Sequence, residues 1–312
     1  MMRLATTIGD FHRFTKTPAE AVRAFEGTGF RYLDYSFYSV IYPGSPFLTG
    51  DWFREVDEAA EAAEKLGFTF VQAHSPGYNP LDPAGDHEAG MLATLRSIEA
   101  CGRLGIRNLV VHSGMSAQMR YPKDQDDYFL ANRAYYESLF PAMERWNVNV
   151  LIENSAEENM QGKFFFMTGR EMTEFLDWIG HPLLHACWDI GHANMRGANQ
   201  YREICDLGRH LYALHIQDNF GTYDEHFAPL MGTVDLDAVI QGLIRIGYKG
   251  YFTFESNNIL ALDGCWPHAR MKTEGIGARR IASPSLELRR KAEALLYEIG
   301  KYALSAYDLF EE

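Results

Sequence analysis

Eight short apolar runs punctuate the chain, and a helix-period pattern follows each of them. The runs occupy residues 3–8, 30–35, 68–73, 108–112, 148–153, 184–189, 211–217 and 251–255, and each is rich in β-branched or aromatic residues. Runs of that length and composition read as buried strands. Apolar positions recur at helical spacing over 18–28, 51–66, 86–104, 127–146, 168–179, 200–207, 234–246 and 284–304. Thr17-Pro18 supplies an N-cap with proline in the first turn, and Gly67, Gly105 and Gly247 fall where helices should stop. A strand followed by a helix, eight times over, predicts the α/β class and a closed parallel (β/α)8 TIM barrel rather than an open sheet. No linker or low-complexity segment interrupts the pattern, so residues 1–312 are expected to form a single domain. The longest irregular stretch, 256–283, follows the last strand, as lids, binding loops or disordered segments do.

Polar residues close six successive runs: His74, His112, Glu153, Asp189, His215 and Glu255, separated by 38, 41, 36, 26 and 40 residues. One strand–helix unit of such a barrel takes about 30 residues. The spacing therefore puts six ionisable side chains around one rim, at the strand C-termini where these barrels carry their active sites. Glu153, Asp189, His215 and Glu255 come from four adjacent strands and make a compact candidate metal set. A lone acid at a strand end reads as readily as a salt-bridged structural residue; four together point to a divalent ion. Mixed imidazole and carboxylate donors suit zinc or manganese first, with cobalt, iron or magnesium behind them. His192 follows Asp189 by three, and Asp224 and His226 lie two apart, on one face of an extended segment. These three, with His74 and His112, are candidate additional ligands, substrate contacts or satisfied core histidines. His12, His87, His181, His185, His210 and His268 lack the strand-end context and read as structural or exposed.

Composition narrows the partners. The hydrophobic share of 46% and charged share of 23% are those of a globular protein, and the net charge of −13 disfavours general attraction to nucleic acid or anionic membrane. No stretch reaches the roughly 18 apolar residues of a membrane span. The start, MMRLATTIGDF, lacks a secretory layout and reads as a first strand. Four cysteines without a CxxC pair suggest neither a disulfide framework nor a thiolate zinc site. A cytoplasmic location is expected, and a homo-oligomer is allowed without being required.

Taken with D-x-x-H at Asp189–His192 and D-x-H at Asp224–His226, the strand ends resemble the xylose-isomerase-like TIM barrel superfamily. It includes sugar and sugar-phosphate isomerases and epimerases, inosose dehydratases and the endonuclease IV repair enzymes. In the isomerase and epimerase branch, the resemblance implies one divalent ion on Glu153, Asp189, His215 and Glu255. The two glutamates double as an acid/base pair, and His192 contacts substrate oxygens. Proton transfer through a metal-stabilised enediolate follows from that arrangement. In the endonuclease IV branch, residues matching His74, His112, Glu153, Asp189, His192, His215, Asp224, His226 and Glu255 hold three zinc ions that cut beside an abasic site. An inosose-type dehydratase needs the same quartet, and a non-catalytic sugar-binding barrel is a third rival.

Several features favour a small carbohydrate. The aromatic segment 32–53, with Tyr35, Phe37, Tyr38, Tyr42, Phe47, Trp52 and Phe53, resembles a loop walling a sugar pocket, although helix packing explains it equally. The run from His226 to Asp235 resembles the sugar-isomerase pattern H-x-x-P-G-x-G-x-x-D, with Leu230 in place of the first glycine. In the late loop, Arg270, Lys272, Arg279 and Arg280 read as a solvated charged face or as cations for a substrate phosphate or carboxylate. Trp266 is a candidate cap. The expected activity is a divalent-metal-dependent sugar or sugar-phosphate isomerase or epimerase.

Overall fold

Each predicted strand forms, and each pairs in parallel with its neighbours. The computed structural model describes residues 1–156, 163–260, 275, 281 and 283–312. Its strands are β1 (Leu4–Thr7), β2 (Tyr32–Ser36), β3 (Thr69–His74), β4 (Asn108–Val110), β5 (Asn149–Glu153), β6 (Leu184–Asp189), β7 (Leu211–His215) and β8 (Phe252–Phe254). The order is β7-β6-β5-β4-β3-β2-β1-β8. Ile216 closes the circle, donating to the Thr253 carbonyl (2.8 Å) while its own carbonyl accepts from the Glu255 amide (3.0 Å). The architecture is a (β/α)8 barrel.

The helices among the described residues are α1 (Pro18–Ala24), α2 (Phe53–Leu66), α3 (His87–Leu104), α4 (Gln125–Trp146), α5 (Gly169–Ile179), α6 (Ile190–Met195), α7 (Gln200–Leu207), α8 (Leu236–Ile246) and α9 (Leu286–Ser305). Caps set their ends. Thr17 and Thr168 cap α1 and α5, the latter with a reciprocal capping box to Glu171. Gly67 ends α2 at φ 73°, a conformation that glycine adopts without steric cost. The short helix α6 was not expected from the pattern. Asp189 starts it by accepting from the His192 amide, 2.7 Å away.

Side chains alternate across a strand, so residues two apart share a face. Val110, Leu151, Cys187 and Ala213 form a small apolar cluster of their own, apart from the main core. Two residues beyond each of them come His112, Glu153, Asp189 and His215. An ionisable layer therefore sits on an apolar one, which keeps water away from its underside. The register sets Asp189 opposite His215, whereas Glu153 is opposite Cys187, one inward position below Asp189 on β6. Among the described residues, no helix is long and apolar enough to cross a membrane.

Candidate metal centre

Glu153 is the hub of the site. It is 5% exposed, and His215 Nδ1 donates to its Oε1 at 2.6 Å while His112 Nε2 approaches Oε2 at 2.9 Å. His74 Nε2 lies 3.8 Å from the same Oε2 and 3.1 Å from His112 Nε2. Burial works against the charge on Glu153. The charge on His215, with hydrogen bonds from His112, His215 and His74, outweighs it and holds the carboxyl well below its usual range. His215 Nδ1 also faces Glu255 Oε2 at 3.1 Å. Burial opposes protonation of His215, yet neighbouring Cys187, Glu255 and Glu153 carry its basicity well above the ordinary imidazole value.

Asp189 completes the quartet from β6. Burial pushes its carboxyl up to about 6, with the charge on His192 working the other way. Its Oδ1 accepts from the His192 amide, whereas Oδ2 is buried and has no hydrogen-bond partner among the described residues. Glu153, Asp189, His215 and Glu255 offer one ligand atom each within 4.8 Å of one another. An orphaned carboxylate oxygen amid imidazole and carboxylate donors is what a divalent cation satisfies, so these residues fit a metal ion.

Two further groups share the rim. His74, His112 and Glu153 form one, and His192, Asp224 and His226 form the other. Asp224 Oδ2 stands between two imidazoles, 3.0 Å from His192 Nε2 and 3.2 Å from His226 Nε2. Burial disfavours a charge on His226, but Asp224 raises its pKa to about 10. His192 Nδ1 donates to the Asn154 carbonyl at 2.8 Å. Both nitrogens of His192 are thus engaged, so a direct substrate contact there requires Asp224 to release Nε2. All nine candidate residues converge on one mouth, with His226 further anchored by its Nδ1 donating to the Glu255 carbonyl (2.8 Å).

Three residues that the sequence reading passed over sit among these groups. Gln217, fully buried, donates to Asp224 Oδ1 (2.6 Å) and Asp189 Oδ1 (3.3 Å). Asn154 donates to the Asp189 carbonyl and accepts from its amide. Asp34, 2% exposed on β2, leaves Oδ2 without a partner, and burial pushes it up to about 6 against the charges of His215 and His74. The place of Gln217 two residues past His215, on the same inward face, was the signal available for it. Nothing local distinguishes Asn154 or Asp34 from ordinary strand residues.

Above the quartet opens a cavity of about 700 Å³, lined by His74, His112, Glu153, His192, His226 and Glu255 and extending to Asp10, His12, Arg13 and Arg289. Sites for small molecules run from roughly 300 to 1,000 Å³. His12 therefore borders the cavity, contrary to its reading as a structural or solvated residue. The aromatic segment divides. Tyr35, Phe37, Phe47 and Trp52 pack into the core, while Tyr38 lines the cavity and meets His74 edge-on at 5.6 Å. Arg270, Lys272, Arg279, Arg280, Trp266 and His268 lie outside the described residues.

A layered barrel with mixed nitrogen and oxygen donors on one rim defines a class, and comparison identifies it. The sequence model described as a xylose isomerase-like TIM barrel matches residues 23–274, and the chain belongs to that family. Ketose 3-epimerase of Arthrobacter globiformis is 29% identical over 143 residues, 44% of this chain and 46% of that protein. Protein MJ1311 of Methanocaldococcus jannaschii, of uncharacterised function, is 26% identical over 195 residues, 61% of this chain and 65% of its own length. The chain spans about half to two thirds of the length of the curated relatives it matches. D-psicose 3-epimerase from Clostridium cellulolyticum H10, solved with D-tagatose, has a TM-score of 0.70 at 14% identity, covering 97% of this chain and 99% of that one. At that identity the likeness is one of fold.

Proposed function

We propose that the protein is a divalent-metal-dependent isomerase or epimerase of a monosaccharide or a related ketone. The observation that carries this reading is the quartet of Glu153, Asp189, His215 and Glu255, with its orphaned Asp189 oxygen, at the floor of a sugar-sized cavity. A relative named as a ketose 3-epimerase supports the substrate class. The four residues would hold zinc or manganese, and the ion would supply positive charge to stabilise an oxyanion developing on the substrate. The imidazoles must give up protons as metal binds, which makes affinity depend on pH.

The chain's own residues then move one proton. Glu153 is held in its carboxylate form, and Glu255, 22% exposed at its side chain, reaches the cavity. One glutamate takes the proton from the carbon α to the carbonyl. The C–H electron pair enters the new C=C bond and the carbonyl electrons move to oxygen. The other glutamate returns a proton to the opposite face as the oxygen electrons re-form the carbonyl; for isomerisation the proton goes to the former carbonyl carbon, and the proton of the α-hydroxyl moves to the former carbonyl oxygen as that hydroxyl becomes the new carbonyl. Tyr38 walls the mouth, and His74 and His112 would meet substrate hydroxyls. The test is solvent exchange: metal-loaded protein in D2O with a panel of ketoses, followed by NMR. Failure either to exchange the α-proton or to interconvert any ketose rejects the reading.

One observation favours a second reading. Glu153 joins two of the ligand groups and the His192–Asp224–His226 group lies beside them, an arrangement expected for a trinuclear zinc phosphodiesterase acting at abasic sites. Metal content separates the two. About three zincs per chain with nicking of abasic duplex favours hydrolysis, and one ion without nicking favours proton transfer.

A further inference from the structure

Beside the proposed metal ligands, a second set of charges is packed into the cavity wall, with Asp10 and Arg289 reaching its lining. Arg289, in the first turn of α9, is 1% exposed; Glu293, one turn on, is 0% exposed; and Asp10, in the turn after β1, is 5% exposed. Arg289 Nη2 pairs with Glu293 and stands 3.4 Å from Asp10 Oδ1. Its Nη1 donates to the Asn257 carbonyl at 2.8 Å. Thr6 Oγ1 donates to Asp10 Oδ2 at 3.2 Å. Asp10 Oδ1, Arg289 Nε and Nη2, and both Glu293 oxygens are buried without a hydrogen bond of good geometry. Burial pushes Asp10 up to about 6 and Glu293 well above its usual range, so one guanidinium faces two acids that burial makes harder to ionise.

The link that matters is Asn257, two residues beyond Glu255. Glu255 is the most exposed member of the quartet, and its position depends on the loop that follows β8. That loop is held on one side by Ser256 Oγ donating to the Ile216 carbonyl (3.0 Å) and by Asn258 bonding to the His226 and Glu225 carbonyls. On the other side stands Arg289, joining the loop to α9 and, through Asp10, to the turn after β1.

We propose that Asp10, Arg289 and Glu293 form a positioning triad that clamps the β8 loop and so fixes the Glu255 carboxylate toward the cavity. This rests on the role given to Glu255 above. A planar fork is needed because one nitrogen serves the loop and another the acids, and no single ammonium occupies both places.

Arg289→Lys tests it, since the charge between the two acids is kept while the Asn257 carbonyl loses its donor. Arg289→Met is the harsher companion, which strands the acids. In R289K, amide exchange at Glu255 and Asn258 should accelerate about tenfold, because the loop opens locally without global unfolding. Zinc affinity, read by chelator competition, should weaken about tenfold, and kcat should fall with little change in KM. Exchange and zinc affinity both within about twofold of the parent, at whatever melting temperature, would overturn the proposal and leave the triad a helix anchor. A parent chain that takes up no zinc or manganese counts against the metal-centred function instead, and amide exchange still decides on the triad.

Discussion

At the C-terminal mouth of the barrel His74, His112, His192, His215 and His226 crowd around shared carboxylates, whereas His181, His185 and His210 at the opposite end each keep a separate partner. Glu153 alone lies within 4.0 Å of four of the mouth imidazoles. At the other end His181 meets Glu144 (3.3 Å), His210 meets Asp177 (2.9 Å), and His185 donates to the Pro182 carbonyl (3.1 Å) while stacking on Tyr212 at 3.6 Å. Basicity follows the difference. Carboxylates raise His226 to about 10, and burial without an anion lowers His185 to about 4. Burial alone does not mark a functional histidine. What marks one is an acid shared with other donors, because that geometry leaves room for a cation.

Glu153→Gln puts the contrast under its greatest stress. Losing the hub charge should cost about 10³-fold in kcat/KM for ketose interconversion, together with bound metal by elemental analysis. His185→Gln, by contrast, should leave activity essentially unchanged. Gly191→Ala is the next largest. A Cβ there falls 2.1 Å from Gln217 Cδ, so the amide that holds Asp189 and Asp224 must move. We expect a loss of about 1–3 kcal/mol in denaturant melts. Zinc affinity should also weaken about tenfold.

The lower end of the barrel makes its own prediction in pH. The folded pKa of His185 lies below the unfolded value near 6.5. Its contribution to stability is therefore complete above pH 6.5 and is lost as pH falls toward about 4. His185→Gln should lose less stability than the parent across that window in melts at stepped pH. Last comes Leu230, which sits at φ 73° where the sugar-isomerase pattern has glycine. Left-handed backbone costs a side-chain-bearing residue about 1–2 kcal/mol, and glycine's greater freedom in the unfolded chain returns about half of that. Leu230→Gly should stabilise by about 1 kcal/mol, a rise of roughly 1–2 °C in Tm by calorimetry.

Much of this was legible in the chain. The eight apolar runs locate the strands because a parallel barrel buries both faces of each, and the rim residues follow from the rule that function gathers at strand C-termini. Boundaries shifted by one to four residues where caps rather than periodicity decide them. Helix α1 stops at Ala24 rather than Thr28, and β7 at His215 rather than Gln217. The connecting amides were hidden for a different reason. Gln217 and Asn154 act through distances set by the closed barrel, and an isolated amide has no sequence periodicity to announce it. Asp10 and Arg289 stand at opposite ends of the chain, so their pairing exists only once the barrel has closed.

The sharing of Glu153 carries a consequence for how such a rim can diverge. With one acid as the common vertex of two neighbouring ligand sets, substitutions at His74 or His112 can strip away an outer set and spare the inner one. On the proposed metal-centred reading, a lineage can therefore lower its ion count stepwise while the shared vertex is kept.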